Sequence, residues 1–330
     1  MILSSAPGRC GLVGNPTDGY GGTVLSSTLA ERAVVELHPR DDEPDTLLEI
    51  CGYTERIAGE EELALNGSYA DVAKAVLTAY PRALGRPFHL RADTTVPMQA
   101  GLAGSTAMLI AILGAVLRAL EFSPSPYEVA EIARDIEFNI MNCVCGFQDQ
   151  YQAVFGGLNY LDFEDKDPHA TGERVFGTVE RLETFLPHVP LLLANTGVQR
   201  HSGSVHKGLR ERWMEGEPAV VDGYREIARM ARDGKVALLA GDWARFGALM
   251  NANHAIQRDL GGSGEANERL IATALEAGSV GAKLAGAGKG GTIIALHEDL
   301  EYLSQRLEEA GAVRLLRVTP SAGLTVEGSL

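Results

Sequence analysis

Apolar positions in the first fifth of the chain keep the short spacing of strands, and helical spacing first appears at residue 68. Residues 2–6 read as a short strand, 23–37 as a long one with β-branched content, and 46–57 as another. Between the first two, residues 8–22 form a predicted glycine-rich loop holding Asn15-Pro16-Thr17-Asp18-Gly19, a dense turn signal. Across 68–84 the positions Val72, Val76, Leu77 and Tyr80 have helical spacing. Residues 88–96 return to a strand. Two helices follow, one over about 105–121 and one with Pro126 in its first turn that ends near Asn139–Asn142.

A strand at 158–163 leads into the polar stretch 164–187, where a domain boundary is expected, giving units 1–187 and 188–330. The second half alternates in the same coarse way. It has strands at 190–194, 280–284, 292–296 and 313–318, the last finishing the fold. Helices are predicted at about 204–215, 218–234, 235–256, 265–277 and 298–310. This order suggests two α+β domains with no continuous doubly wound sheet. There are no internal repeats and no low-complexity segment.

One stretch carries chemistry of its own. Pro97-Met98-Gln99-Ala100-Gly101-Leu102-Ala103-Gly104-Ser105-Thr106-Ala107 sets a glycine-punctuated turn before the apolar run 108–120. A helix N-terminus presents unpaired N–H groups and the positive end of its dipole. Glycines let a phosphate approach that backbone closely. The turn is therefore a candidate anion cradle, with a nucleotide as the natural anion. It is not a Walker motif, since no Gly-Lys-Ser/Thr opens the helix. It is not a dinucleotide fingerprint either.

Composition narrows the field. The 330 residues hold 29 Lys and Arg against 44 Asp and Glu, a net charge of −15. That argues against a non-specific nucleic-acid or anionic-membrane binder. Four cysteines are too few for a disulfide framework, and Cys143-Val144-Cys145 lacks zinc-knuckle spacing. With no signal-peptide pattern and no run of about 20 apolar residues, the cytoplasm is the expected location.

Three glycine loops together resemble the GHMP kinases (galacto-, homoserine, mevalonate and phosphomevalonate kinases). The first motif is residues 6–18, Ala-Pro-Gly-Arg-Cys-Gly-Leu-Val-Gly-Asn-Pro-Thr-Asp; the second is 97–107; the third is Lys283-Leu284-Ala285-Gly286-Ala287-Gly288-Lys289-Gly290-Gly291. They lie in the family's order and span almost the whole chain. The resemblance implies a ribosomal-S5-like N-terminal domain, a ferredoxin-like C-terminal domain, and ATP between them. Within the family it runs to glucuronokinases and related sugar-1-kinases, through residues 11–18, 101–106, and His201–His206 with Arg210–Trp213. Galactokinases carry Glu-His where this chain has Asn15-Pro16, which disfavours galactose.

The same resemblance implies roles. Asp149, in a Gly-x-x-Asp-Gln pattern, would be the catalytic carboxylate, against a plain helix-capping alternative. Arg9 would act beside it. Pro97, Gly101, Leu102, Ala103, Gly104, Ser105, Thr106 and Gly288 would bind ATP. Thr106 and Glu137 would hold Mg²⁺, the alternative for Glu137 being a solvated partner of Arg134. Asn15, Asp18, Tyr20, Gln148, Arg200 and Ser202 would meet the sugar. A guanidinium such as Arg200 suits a uronic acid; its alternative is a helix-start loop capped by Ser202 or Ser204.

The implied reaction is ATP- and Mg²⁺-dependent phosphorylation of a sugar's anomeric hydroxyl, glucuronate giving its 1-phosphate, by a monomer or homodimer. Two alternatives stand beside it. One is another sugar or sugar-phosphate 1-kinase of heptose-phosphate or galactose type, with Arg200, Lys207 and Arg210 as possible phosphate ligands. The other is a non-catalytic sensor, which would be expected to have lost Asp149, Glu137 or the hydroxyls; all are present.

Overall fold

The computed structural model describes residues 1–167, 175–183, 189–198, 202–286, 288 and 290–330, with the backbone alone described over 202–207. In chain order the strands are β1 (Ile2–Val13), β2 (Thr23–Pro39), β3 (Thr46–Ile50), β4 (Tyr53–Ile57), β5 (Phe88–Thr94), β6 (Leu158–Asp162), β7 (Thr178–Arg181), β8 (Leu191–Asn195), β9 (Gly281–Leu284), β10 (Thr292–Leu296), β11 (Arg314–Arg317) and β12 (Thr325–Gly328). The α-helices are α1 (Asp71–Ala79), α2 (Gly104–Ala119), α3 (Pro126–Asp135), α4 (Gln148–Phe155), α5 (Ser202–Met214), α6 (Pro218–Leu239), α7 (Trp243–Asp259), α8 (Glu265–Glu276) and α9 (Leu300–Glu309).

Two sheets organise these elements, as an α+β chain requires. The first runs β12-β1-β2-β5-β3-β4, with β6 and β7 continuing from β2. Strand β2 is long enough to serve two partners: Thr23–Ser27 pair with β6 and Ala33–Pro39 with β5. The second sheet is antiparallel, in the order β11-β8-β10-β9.

Helix α2 is apolar on nearly every side because it is buried on nearly every side; of its first turns only Ser105 is exposed. It lies against β1 and β2 and fills the core of the first half. A second core joins the sheets. There Leu12, Val13 and Leu25 meet Leu191, Leu193 and Ile294, with Phe246 and Met250 of α7.

Four expectations change. The stretch from Gly8 is not all loop: β1 continues to Val13, its backbone paired to β2 with register shifts at Pro7/Arg9 and Gly11/Val13. Residues 46–57 are a hairpin, broken by Cys51 and Gly52 at positive φ. Helix α6 passes through Gly234 and stops at Leu239. Gly234 is a packing glycine whose added Cβ would lie 3.0 Å from Leu25, and Asp242 caps the next helix by accepting from the Arg245 N–H. Finally, the chain does not end in the second sheet: β12 pairs with Ile2–Ser5 of β1.

Candidate active site

A cavity of about 660 Å³ opens where the N-terminus of α2 meets the end of β1 and the start of α4. Arg9 and Asp149 sit in its wall. Arg9 projects from β1, where its N–H donates to the Leu102 carbonyl at 3.0 Å. Its guanidinium donates from Nε to Asp149 Oδ1 at 2.7 Å and from Nη1 to the Gly101 carbonyl at 2.8 Å, and Nη2 lies 2.6 Å from the same Oδ1. The glycine turn before α2 and the carboxylate are thus fixed to one buried cation. Asp149 falls in the first turn of α4 but spends its carboxylate on Arg9 rather than on capping.

Asp18 does the capping instead. Its Oδ2 accepts from the Phe147 and Gln148 N–H groups at 2.9 and 3.0 Å, the first free donors of α4. The approach needs glycine at 146, since an added Cβ there would lie 1.9 Å from Oδ2. Burial pushes the Asp18 carboxyl up to about 6, the nearby Asp149 charge adding to the rise, while the two N–H bonds and Arg9 oppose it.

Glu137 follows α3 on one π-helical turn, Ile136–Ile140, where the Met141 N–H reaches back to the Ile136 carbonyl. An unbroken α-helix was expected here. Glu137 is buried at the cavity wall, so it is not a solvated helix residue. Its Oε1 accepts from Thr106 Oγ1 at 2.7 Å, and its Oε2 accepts from Gln150 Nε2. Burial drives its carboxyl up to about 7, with the charge of Asp149 in support and the Thr106 bond opposing. The Oε1 of Gln150 is buried with no hydrogen-bond partner. A buried carboxylate beside a hydroxyl at a helix start is an oxygen donor set that fits a hard cation such as Mg²⁺.

Of the other expected residues, Gly101, Ala103, Gly104, Ser105, Thr106, Tyr20 and Gln148 line the cavity. Gln148 also donates from Nε2 to Ser26 Oγ at 2.9 Å. Asn15 is in the wall, but its amide turns inward. Oδ1 accepts from buried Lys283 Nζ at 2.7 Å, while Nδ2 is buried without a partner. Pro97 and Leu102 shape the turn without lining the cavity. The third glycine loop reaches it through Gly286, not Gly288; an added Cβ at Gly288 would lie 1.8 Å from the Gly262 carbonyl, so that glycine serves packing. Arg200, His201 and Lys289 lie outside the described residues, as do the side chains of Ser202, Ser204, His206 and Lys207.

The lining also includes residues given no role from sequence, among them Met98, Gln99, Met141 and Asn142. Arg210, considered only as a phosphate ligand, is in the wall beside Tyr20. Among the described residues no helix is long and apolar enough to cross a membrane.

Comparison with known proteins places the chain in a family. Residues 68–157 match the GHMP kinases N terminal domain and residues 235–313 the GHMP kinases C terminal model. The protein is thus an ATP-using phosphotransferase. It belongs to the GHMP kinase family, and its fold class is the one the three glycine motifs implied. Among curated proteins, Glucuronokinase 1 of Arabidopsis thaliana is 26% identical over 95% of this chain and 91% of its own length. The D-glycero-alpha-D-manno-heptose 7-phosphate kinase of Campylobacter jejuni is 25% identical over 88% of this chain and 87% of its own. Among solved structures, a D-glycero-D-manno-heptose 1-phosphate kinase from Bacteriodes thetaiotaomicron superposes with a TM-score of 0.77 at 21% identity, covering 99% of both chains, which speaks to the fold.

Proposed function

We propose that this kinase transfers the γ-phosphoryl group of ATP to the anomeric hydroxyl of a sugar in the cytoplasm, with glucuronate as the acceptor and its 1-phosphate as product. The observation that carries the reading is the Arg9 link between Asp149 and the Gly101 carbonyl. It holds a carboxylate beside the turn that would cradle the triphosphate. The names of the two curated relatives given above support a sugar acceptor, Glucuronokinase 1 above all.

In this reading the N–H groups at the start of α2 receive phosphate oxygens, with Ser105 adding its hydroxyl. Asp149 accepts the proton of the sugar's O1 as that oxygen bonds to the γ-phosphorus. The bond to the β,γ-bridging oxygen breaks, and ADP leaves. Glu137 and Thr106 would hold Mg²⁺, whose contribution is to neutralise charge on the phosphate oxygens. Catalysis is mostly positioning.

A sugar-phosphate acceptor is the second reading, favoured by the Campylobacter jejuni relative. The test is ADP release across uronic acids, neutral hexoses, pentoses and heptose phosphates, with the product's phosphorus position read by NMR. Turnover of another sugar with glucuronate inert sinks the glucuronate assignment and leaves the kinase. No ADP release from any sugar, with ATP still bound, overturns the sugar kinase itself.

A further inference from the structure

The Tyr20 side of the cavity is backed by cations held on aromatic rings. Arg134, buried, places its guanidinium carbon 4.2 Å from the Phe138 ring centre and 4.8 Å from that of Phe147. Lys166 Nζ lies 4.4 Å from the Phe147 ring centre on the same cluster. Arg210 shares Phe138 with Arg134, its guanidinium carbon 5.5 Å from that ring centre. Of these three cations Arg210 is the one that lines the cavity.

Its helix is anchored next to it. Trp213 of α5 meets Tyr20 edge-on at 5.3 Å, and Tyr20 packs on Tyr224 at 4.6 Å. Arg212 donates to Glu217 at 2.7 Å and to the Leu260 carbonyl at 2.9 Å. Lys166 is paired with Glu131 at 2.8 Å, so Arg210 is the cation that this cluster presents to the cavity, in a chain of net charge −15. A guanidinium half-buried against a ring face attracts an anion more strongly than a fully exposed one.

We propose that Arg210 reads a negatively charged substituent of the acceptor sugar, and that Phe138 positions its guanidinium to do so. The inference rests on the sugar-acceptor reading above and names the substrate class. In a uronate pyranose the carboxylate hangs from C5, across the ring oxygen from the reacting C1. A 7-phosphate carries its charge one carbon and one ester oxygen further out. Guanidinium recognises either group through paired N–H donors.

The test uses the full chain and steady-state kinetics with glucuronate, glucose and a heptose 7-phosphate. Arg210→Met should raise KM for the charged sugar about 10- to 100-fold, leaving kcat and the KM for ATP within about twofold. The KM for glucose should not move. Phe138→Leu should give the same split at about three- to tenfold, and Phe138→Tyr, which keeps the ring, should restore the native KM. Whichever charged sugar responds identifies the anion as carboxylate or phosphate.

The proposal is overturned if Arg210→Met leaves the KM of every charged sugar unchanged, or moves charged and neutral sugars together. Turnover of neutral sugars alone overturns it too. If no sugar turns over, the sugar-kinase reading fails by itself. Calorimetric titration of glucuronate and the heptose phosphate then decides Arg210: weaker binding to Arg210→Met supports it, and equal or absent binding to both proteins sinks it. Should Arg210→Met not fold, Arg210→Lys keeps the charge without the fork and should raise KM alone; an unchanged KM then counts against the proposal.

Discussion

Arg9 and Asp149, 140 positions apart, meet through a single carboxylate oxygen: Nε at 2.7 Å and Nη2 at 2.6 Å both fall on Oδ1. The two contacts orient the carboxylate through Oδ1, so that in the proposed mechanism Oδ2 is the oxygen that would take a proton. Asp149→Asn keeps the shape and removes that capacity. Turnover should fall by about 10²- to 10⁴-fold while ATP affinity stays within about threefold. Full turnover in this variant removes Asp149 from the mechanism.

Arg9 is buried, so its removal has a second effect. In Arg9→Met the Gly101 carbonyl and Asp149 lose their donor together. Losing one partner of such a pair costs about 3–5 kcal/mol when fully buried, and less here because Asp149 is 29% exposed. The thermal midpoint and kcat should drop together. A variant that loses activity with an unchanged midpoint argues that Arg9 contributes nothing to holding the turn.

Asp18 makes a pH-dependent prediction. Its folded-state pKa, about 6, lies above its ordinary value of 3.8. The folded protein therefore binds the proton more tightly than the unfolded chain between these values, and this residue's contribution to stability falls as pH rises through that window. Above pH 6 the cost is present in full, of order 2–3 kcal/mol. Asp18→Asn keeps an oxygen for the α4 N–H groups and removes the charge. The variant should be more stable than the native protein at pH 7.5, with the gap closing toward pH 4. A constant gap across that range would contradict the burial account.

How much of this could be read from the chain follows from where each signal resides. Gly101 and Thr106 carry a local signal, a turn before a helix, while Glu137 and Asp149 stand out only through the family resemblance; the fold brings all four to one cavity. The capping of α4 by Asp18 spans 130 positions and Asn15–Lys283 spans 268, so neither leaves a trace in local spacing. The π-helical turn at Glu137 was missed because one inserted residue per turn barely alters an apolar pattern. Strand β12 was missed because a four-residue edge strand, exposed in three of its positions, lacks the alternation that marks a half-buried strand.

Gly146 tests the geometry beneath the start of α4. Its added Cβ would lie 1.9 Å from Asp18 Oδ2 and 2.9 Å from the Gly19 N–H nitrogen. Gly146→Ala must push Asp18 off the α4 donors or displace the start of the helix. The expected loss is about 1–3 kcal/mol of stability, read as a lower thermal midpoint, with reduced kcat because α4 carries Asp149. An unchanged midpoint and kcat would show that the 146–149 segment yields without cost.

Glu137 and Thr106 give the last prediction. Burial drives the Glu137 carboxyl up to about 7, so its charged form is poorly stabilised by its own hydrogen bonds with Thr106 and Gln150. A divalent cation bound there would supply the missing positive charge, which is the physical reason to propose Mg²⁺ at this carboxylate. Glu137→Gln keeps the size and removes the charge. It should weaken Mn²⁺ binding to the nucleotide-loaded protein by about tenfold or more, read by electron paramagnetic resonance. Chelation should abolish turnover in both proteins, and excess Mg²⁺ should restore the native enzyme at lower concentration than the variant. Equal Mn²⁺ affinity in the two proteins takes Glu137 out of the cation site and leaves Thr106 as its only protein ligand in this account.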